Sequence, residues 1–485
     1  MSLSSSGCSE LHDLDRGRQH GLVALLVFLG AFRLLFPGDV PFINDEPLLI
    51  ESALDANEAG TLMPSGLVGT RGARYGPAPG WFYQLSLAAT PDLRRVAVAR
   101  IIVVTALTGL ALTLLAHNMA GLSPVLGAFA FLSPYLWFYA RDLWDNSFAI
   151  PFSAMLLATY AQFCRDGRVR SLVWVVQFGT LCFLTHLMTL PVVGAVMIHF
   201  VATQRGRIRE SWRFALGVLA VSAACLALSL PYLVETLGRS MAIPRLMPSP
   251  ASVAFSLNGM RLFTLTGFDY VIGAWHLNGV GPIIRLVSLF TYVVGAYGLV
   301  LCVRAVKHPE NAESGQIGVV LLLALALFVL IANGSRLREH PHYYNGMWIV
   351  FFVFWWMGMT RLARVTWARR VFFLQAAVMA LFLVATVGWL HDNRGTRSLH
   401  YGPTLANQME IARELEGLGF VGDPPSAAHH PRLFPHAIRV LRRLDRRSSP
   451  SGPERPATAI DVEIVYAEPQ GRSGAIILRR SPSIP

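Results

Sequence analysis

The chain has 485 residues, of which 53% are hydrophobic and 14% are charged, and its mean hydropathy is +0.47. A soluble globular domain carries about 25% charged residues, so this composition excludes one and indicates a polytopic membrane protein. The net charge of +12 would otherwise favour nucleic-acid binding, but much of the excess lies in short segments between apolar runs. We therefore predict contact with membrane lipids and no nucleic-acid partner.

Eleven runs of the sequence are long and apolar enough for helices that cross a bilayer, which takes about 17 to 25 residues. These runs lie at about 21–36, 96–116, 121–139, 147–163, 171–187, 188–203, 214–236, 284–303, 317–333, 343–360 and 371–390. No small-residue cleavage site follows the first run, so we expect a retained helix and not a signal peptide. The predicted fold is an all-α bundle with a tail at 1–20 and a transmembrane domain at 21–390.

Basic residues are divided unevenly between the two sets of alternate loops, and this asymmetry predicts the orientation of the chain. One set contains Arg16, Arg18, Arg165, Arg168, Arg170, Arg205, Arg207, Arg209, Arg213, Arg304, Lys307, Arg361, Arg364, Arg369 and Arg370. The short loops of the other set contain only Arg141, Arg336 and Arg338. We therefore place the N-terminus in the cytoplasm and the first loop, at 37–93, outside.

The first loop begins with Asn44-Asp45-Glu46-Pro47, an acidic pair at a predicted membrane surface. Proline favours the first turn of a helix, and acidic side chains beside it cap free amides and complement the helix dipole. Capping explains Glu46 well and Asp45 less well. A capping role and a functional role therefore both stay open for this pair.

Two helices are predicted to lie along the membrane surface within this loop. Apolar residues between 48 and 54 share one helical face, opposite Glu51, Asp55 and Glu58. This pattern is typical of a helix that lies in the membrane interface. A turn rich in Gly and Pro at 75–80 then leads into an aromatic helix, whose rings suit the lipid headgroup layer.

Further candidate residues lie in other segments on the same side. Arg141 follows the third span, His186 closes the fifth, and the segment before the tenth contains Arg336, Arg338, His340, His342 and Tyr343. Ionisable groups at such positions are functional candidates. Structural alternatives stay open: the arginines could reach for the interface, His186 could be a packing residue, and Tyr343 could belong to the aromatic belt.

The sequence indicates no cofactor. Its 5 cysteines lie in the tail or in apolar helices without a CxxC pair, and no nucleotide-binding glycine loop is present. A divalent metal stays possible, because His340 and His342 are one residue apart and Asp45 and Glu46 could add carboxylate ligands.

From residue 391 the chain becomes rich in Arg and Pro, and 391–485 predicts a small α+β domain. Helical periodicity is present over 404–418 and 433–443. Two β-type segments at 459–466 and 474–478, separated by a turn that contains glycine, predict a hairpin. After eleven spans this domain lies outside, on the side of the first loop.

These features together resemble the C-type (GT-C) membrane glycosyltransferases, in particular protein O-mannosyltransferases and aminoarabinose transferases. The common features are an acidic residue opening the first outer loop, two juxtamembrane helices, a Pro-containing turn before an aromatic helix, and a small outer domain after many spans. Three segments also fit in order and in side, at 140–147, 184–187 and 338–344. The resemblance covers roughly residues 20–390.

The resemblance implies a polyprenyl-phosphate sugar as donor and inversion at the anomeric carbon, with Asp45 as general base and Glu46 orienting it or binding the acceptor. The remaining candidates would contact the substrates, and the cations among them would stabilise the phosphate that leaves. The resemblance also implies a bacterial-type inner membrane, a hexose or pentose as the transferred sugar, and a lipid, glycan or protein acceptor.

Two alternative functions would leave other patterns in the sequence. A flippase or transporter of lipid-linked oligosaccharides would need polar residues along a central cavity, whereas the predicted helices are apolar through their middles. An O-antigen polymerase or ligase would rely on arginines in a large later loop, and the loop at 237–283 has only Arg239, Arg245 and Arg261. The sequence therefore favours the polyprenyl-phosphate-dependent glycosyltransferase.

Overall fold

The computed structural model describes residues 28–69, 74–119, 121–210, 212–237, 253–254, 259, 281–307, 312–334, 341–398, 400–420, 434–448, 462–467 and 473–480. Before the C-terminal domain, its helices are α1 (Asp45–Glu58), α2 (Ala78–Ala89), α3 (Leu93–Asn118), α4 (Pro124–Ala128), α5 (Pro134–Arg141), α6 (Ala149–Asp166), α7 (Val169–Phe183), α8 (Leu190–Glu210), α9 (Trp212–Leu237), α10 (Gly281–Lys307), α11 (Ala312–Gly334), α12 (Trp348–Leu362) and α13 (Thr366–Asp392). Short 3₁₀ turns lie at Phe129–Leu132, Asp145–Phe148, Leu187–Thr189 and Pro341–Tyr344.

Six described stretches are long and apolar enough to cross a membrane, as expected for a multi-pass membrane protein. They are Leu93–Asn118, Asp145–Asp166, Leu187–Arg205, Arg285–Lys307, Gly315–Ala332 and Thr366–Asp392. Two shorter apolar helices, Val169–Phe183 and Trp348–Leu362, accompany them. Each of these stretches overlaps a span predicted from the sequence, whereas residues 21–27 of the first predicted span, at 21–36, lie outside the described residues.

The predicted span at 121–139 is not one helix. The segment folds as α4, a 3₁₀ turn and α5, with Ser133 extended between the last two. The Ser133 hydroxyl accepts a hydrogen bond from the Leu136 amide at 3.4 Å, and Pro134 is the first residue of α5. Because proline disfavours helical geometry in the residue before it and has no amide to donate, the apolar run is divided there.

Helix α12 forms the centre of the apolar core of the bundle. Every residue from Trp348 to Trp356 is fully buried, and the rings of Trp348 and Phe352 stack with centroids 5.3 Å apart. Helix α10 approaches α12 closely, since a Cβ on Gly298 would lie 1.6 Å from the Phe354 oxygen. Glycine at this crossing allows the backbones to pack directly, as is common between membrane helices.

Helix α1 buries its apolar face inside the protein. Its apolar residues between 49 and 54 are fully buried in a cluster that also contains Ile438 and Leu441 of the C-terminal domain. The sequence predicted that this face rests in the membrane interface. The structure differs because the C-terminal domain supplies a matching apolar surface, so the face packs against protein.

The C-terminal domain contains α14 (Leu405–Gly417), α15 (Phe434–Ser448), β1 (Val462–Tyr466) and β2 (Ile476–Arg480). The strands pair antiparallel with Ile464 opposite Leu478, which confirms the predicted hairpin. The Asn407 side chain joins α14 to β2, accepting from the Ile476 amide at 2.8 Å and donating to the Ile476 carbonyl at 3.2 Å. The helices and strands thus fall where the sequence pattern places them.

Candidate active site

Asp45 is the first residue of α1 and lies half-buried where the first loop meets the bundle. Its Oδ2 accepts a hydrogen bond from Trp144 Nε1 at 3.0 Å. Burial raises the pKa of Asp45, and the hydrogen bond from Trp144 opposes that rise. A carboxylate with a raised pKa holds a proton more strongly than an exposed one, which is the property that a general base requires.

Glu46 is buried, and its carboxylate holds the backbone that precedes α1. Glu46 Oε2 accepts from the Asn44 amide at 2.8 Å and from the Ile43 amide at 3.3 Å. Burial raises the pKa of Glu46, while the amide bonds oppose the rise and the Asp45 carboxylate adds to it. Glu46 therefore fixes the turn that orients Asp45, much as the acidic residue of a capping box does.

A second pair of acidic residues, Asp142 and Asp145, comes from the link between α5 and α6. Burial and the neighbouring Glu46 carboxylate raise the pKa of Asp142 well above its ordinary value, and Arg100 opposes this rise. Asp145 is also buried, and neither of its carboxylate oxygens has a hydrogen-bond partner within the described part of the chain. The carboxylates at the start of α1 repel that of Asp145. These groups form an acidic cluster, defined as Asp45, Glu46, Asp142 and Asp145.

Rings from four segments lie around the acidic cluster. His342 packs on Trp144 with ring centroids 4.7 Å apart, and Tyr343 packs on His342 at 4.2 Å. Tyr75 packs on His186 at 3.9 Å, and Tyr75 is near enough to the cluster to feel its negative charge. An aromatic lining with a few convergent polar groups is typical of a small-molecule site.

Backbone pairing brings Tyr75 and His186 together. The Gly76 amide donates to the Thr185 carbonyl at 3.2 Å, and the Ala78 amide donates to the carbonyl of residue 184 at 2.9 Å. A Cβ on Gly76 would lie 2.0 Å from the carbonyl carbon of residue 184, so this approach requires glycine. The Gly- and Pro-rich turn in the sequence therefore serves a close contact between two segments.

His186 is a neutral imidazole in this setting. Burial lowers its pKa to about 3, and its Nδ1 accepts a hydrogen bond from the Met188 amide at 3.2 Å. With Nδ1 as the acceptor, the single ring proton is on Nε2. His186 can therefore donate one hydrogen bond, but it cannot supply positive charge to a phosphate.

Two asparagines that the sequence reasoning missed fix the segment that carries His342. Asn345 Nδ2 donates to Asn146 Oδ1 at 3.0 Å, and Asn345 Oδ1 accepts from the Tyr135 hydroxyl. The same hydroxyl lies 3.1 Å from the Pro341 oxygen. The sequence signal for them was their position: Asn146 lies inside the segment 140–147, and Asn345 directly follows the segment 338–344. A buried amide side chain at such a place must find hydrogen-bond partners.

Arg141 directly precedes Asp142 of the acidic cluster, but its described hydrogen bonds go to another segment. Its guanidinium is buried and donates to the carbonyls of Leu35 at 2.6 Å and of Arg33 and Asp39 at 3.2 Å, as well as to that of Phe36. Burial lowers the pKa of Arg141 to about 10, so the group stays charged near neutral pH. Arg141 was predicted to contact substrate; in the structure its described hydrogen bonds all go to main-chain carbonyls between residues 33 and 39, so it supports that turn.

Only some of the remaining predicted cations, and only one member of the predicted metal pair, belong to the described residues. Arg336, Arg338 and His340 lie outside the described residues. Among the residues that the structure describes, no group of three or more His, Cys, Asp or Glu side chains is arranged to hold a metal ion. Of the sequence candidates, Asp45, Glu46, His186, His342 and Tyr343 are brought together at one end of the bundle.

The structure combines a bundle of apolar helices, two helices of the first loop and a small C-terminal domain, and its acidic cluster lies where the first loop meets the bundle. This arrangement is a GT-C-like membrane fold, as predicted. Solved structures with a similar fold include two of ArnT from Cupriavidus metallidurans. The crystal structure in the apo state matches with a TM-score of 0.54 at 13% sequence identity, over 95% of this chain and 98% of that one. The crystal structure bound to undecaprenyl phosphate matches with a TM-score of 0.52 at 13% identity, over 96% and 98%. No family model and no curated protein matches the chain.

Proposed function

We propose that the chain is a membrane glycosyltransferase that moves a sugar from a polyprenyl phosphate to an acceptor hydroxyl, with inversion at the anomeric carbon. The observation that carries the proposal is the half-buried Asp45 carboxylate, bonded to Trp144 and surrounded by further carboxyl groups and aromatic rings. The likeness in fold to ArnT, which was crystallised with undecaprenyl phosphate, supports a donor of this chemical class.

In the proposed reaction, Asp45 accepts the proton of the acceptor hydroxyl. The hydroxyl oxygen forms the new bond to the anomeric carbon, and the bond from that carbon to the phosphate oxygen breaks with its electron pair left on the phosphate. The raised pKa of Asp45 favours the first part of this step, because a stronger base takes the proton more readily. Glu46 keeps Asp45 in place through the backbone of the turn.

Substrate contacts are proposed for the other candidates. His342 and Tyr343 would line the sugar site beside Trp144, and His186 would donate a hydrogen bond from Nε2. Arg336, Arg338 and His340, which precede His342 in the sequence, would stabilise the charge that the phosphate gains. No resident cofactor is proposed, and loss of transfer on addition of a chelator would instead indicate a divalent ion.

The proposed location is a bacterial-type inner membrane, with the N-terminus in the cytoplasm and the acidic cluster on the extracytoplasmic side. The asymmetric distribution of basic residues in the loops supports this orientation. The transferred sugar would be a hexose or a pentose, and the acceptor a lipid, a glycan or a protein.

The test is transfer by purified protein in liposomes, with a panel of polyprenyl-phosphate sugars and acceptors. We expect Asp45→Asn to lower the turnover rate at least about 100-fold, the usual contribution of a general base. Glu46→Gln should keep the rate within about tenfold of the wild type, since its amide oxygen can still accept from the Asn44 amide. Asp392→Asn, at an exposed carboxylate, is the matched control and should transfer at the wild-type rate.

Each other result has a definite meaning. Wild-type transfer by Asp45→Asn would overturn Asp45 as base, and loss of transfer by Glu46→Gln alone would assign the base to Glu46. Movement of the lipid donor across the liposome without formation of a product would favour the flippase alternative.

A further inference from the structure

The helix that carries Asp45 shares its apolar core with the C-terminal domain. The buried face of α1, centred on Ile50 and Leu54, packs in one cluster with Ile438, Leu441 and Leu444 of α15. The core of the transmembrane helices, centred on α12, is a separate cluster. The position of α1 therefore depends on a domain that begins more than 300 residues later in the chain.

Polar pairs join the same two helices along their exposed sides. The acidic stripe of α1 consists of Glu51, Asp55 and Glu58, and the basic stripe of α15 consists of His436, Arg443 and Arg447. Arg443 is central, because its Nη1 lies 2.7 Å from Asp55 Oδ1 and its Nη2 lies 2.6 Å from Glu58 Oε2. At one end of the stripe His436 Nε2 lies 3.2 Å from Glu51 Oε2, and at the other Arg447 also pairs with Glu58.

The backbone just before Asp45 is attached to the C-terminal domain as well. The Leu405 amide donates to the Val40 carbonyl at 2.9 Å, and the Ala406 amide donates to the Gly38 carbonyl at 3.0 Å. These bonds join the entry to α1 with the start of α14. Asp45 is thus held on both sides, by the segment that precedes it and by the helix that follows it.

This double attachment matters because the position of Asp45 is set mainly through its backbone. Its side chain has one described hydrogen bond, to Trp144. Apolar contact is not directional, so the shared core allows α1 to slide or rotate on α15. Exposed ion pairs add little energy individually, but a guanidinium that bridges carboxylates on successive turns fixes the register between the helices.

We propose that the C-terminal domain is part of the catalytic apparatus, with Arg443 as the positioning residue that sets α1, and through α1 the Asp45 carboxylate, relative to Trp144. The inference rests on the proposed function, since it concerns the geometry of the proposed base. Arg443 touches no substrate and acts only through the acidic stripe.

The test compares Arg443→Glu with Arg446→Glu in the full-length protein in liposomes. Arg446 is the matched control because its described ion pair is with Glu416, inside the C-terminal domain. For Arg443→Glu we expect kcat to fall about tenfold with KM for the lipid donor unchanged, since a small displacement of a catalytic group is costly. The quadruple variant Asp55→Arg, Glu58→Arg, Arg443→Glu, Arg447→Glu exchanges the charges on both helices, including the pair of Arg447 with Glu58, and should restore kcat to within about threefold of the wild type.

The pH dependence of kcat is a second test of the position of Asp45. A displaced Asp45 loses the Trp144 hydrogen bond that lowers its pKa, so the acidic limb of the Arg443→Glu profile should move to higher pH. If Arg443→Glu does not fold, Arg443→Gln takes its place, with the same shift and a loss in kcat of about threefold expected.

Three results would overturn the inference: an unchanged kcat in the folded Arg443 variant, an equal loss in Arg446→Glu, or no recovery on charge exchange. If Asp45→Asn abolishes transfer while the Arg443 variant is normal, only this inference fails. If Asp45→Asn is fully active, the proposed function fails whatever Arg443 does.

Discussion

Asp45 and Arg141 are both charged residues next to the start of the first loop, yet the structure treats them in opposite ways. The Arg141 guanidinium is buried and is surrounded by main-chain carbonyls of the turn after the first span. The Asp45 carboxylate is half-buried with one indole donor and has other acidic groups beside it. The Arg141 charge is satisfied by main-chain carbonyls, whereas the Asp45 carboxylate has one described hydrogen bond and stays available.

This difference separates a structural charge from a chemical one. A buried charge whose hydrogen-bonding capacity is used by the backbone stabilises the fold and has little left for a substrate. A charge kept among like charges lowers stability, and groups of this kind are concentrated at functional sites. The arginine and the aspartate look equally suitable in the sequence, and only their partners distinguish them.

The structural side of the comparison predicts a large loss of stability for Arg141→Met. The substitution leaves several buried carbonyls without a donor, each at a cost of about 1–3 kcal/mol, so we expect a total of about 3 kcal/mol or more. Phe36, whose carbonyl Arg141 holds, has a positive φ of 49°, and that turn would also lose its support. The measurement is the midpoint of thermal unfolding in detergent.

Arg394→Met is the control for this prediction. Its guanidinium pairs with Glu410 at 2.6 Å, and both side chains are about half exposed. Exposed pairs contribute about 1 kcal/mol or less, so the midpoint should hardly move. Equal midpoints for both variants would contradict the structural role of Arg141 and return it to the list of substrate contacts.

The chemical side of the comparison predicts a change in pH dependence for Trp144→Phe. Removing the indole N–H takes away the hydrogen bond that lowers the pKa of Asp45, so the acidic limb of the pH profile of kcat should move to higher pH. We also expect a loss in kcat of about tenfold at neutral pH, because Asp45 is less well oriented. Trp367→Phe, at an indole that is 60% exposed, is the control. An unmoved acidic limb with reduced kcat would mean that the titrating base is not Asp45.

The sequence predicted the long apolar helices, the two helices of the first loop and the C-terminal hairpin, because hydrophobic periodicity and turn residues are local signals. It could not predict that the apolar face of α1 meets α15, since an amphipathic face packs equally well on lipid or on a distant domain. For the site, composition and order selected Asp45, Glu46, His186 and His342. Asp142 and Asp145 were missed within a segment already singled out, because burial next to another carboxylate is a tertiary property.

Asp142→Asn should have a smaller effect, which is on how the free energy of unfolding changes with pH. In the unfolded chain an aspartate titrates near pH 4 (about 3.9), whereas the folded protein holds the pKa of Asp142 well above that value. Between the two values the folded state keeps a proton that the unfolded state has lost, so the wild-type free energy of unfolding falls as pH rises. Asparagine has no proton to lose, and its amide can donate to Glu46, with which the Asp142 side chain is hydrogen-bonded in the wild type.

We therefore expect Asp142→Asn to match the wild type near pH 4 and to exceed it by about 1 kcal/mol or more at pH 8, since each pKa unit corresponds to about 1.4 kcal/mol. Denaturant unfolding in detergent over this pH range measures the difference. For the control Asp392→Asn, the free energy of unfolding should change with pH as it does in the wild type. If the free energy of unfolding of Asp142→Asn also changed with pH as in the wild type, ionising Asp142 would carry no cost in the folded state. The cost of the acidic cluster would then lie with Asp45, Glu46 and Asp145.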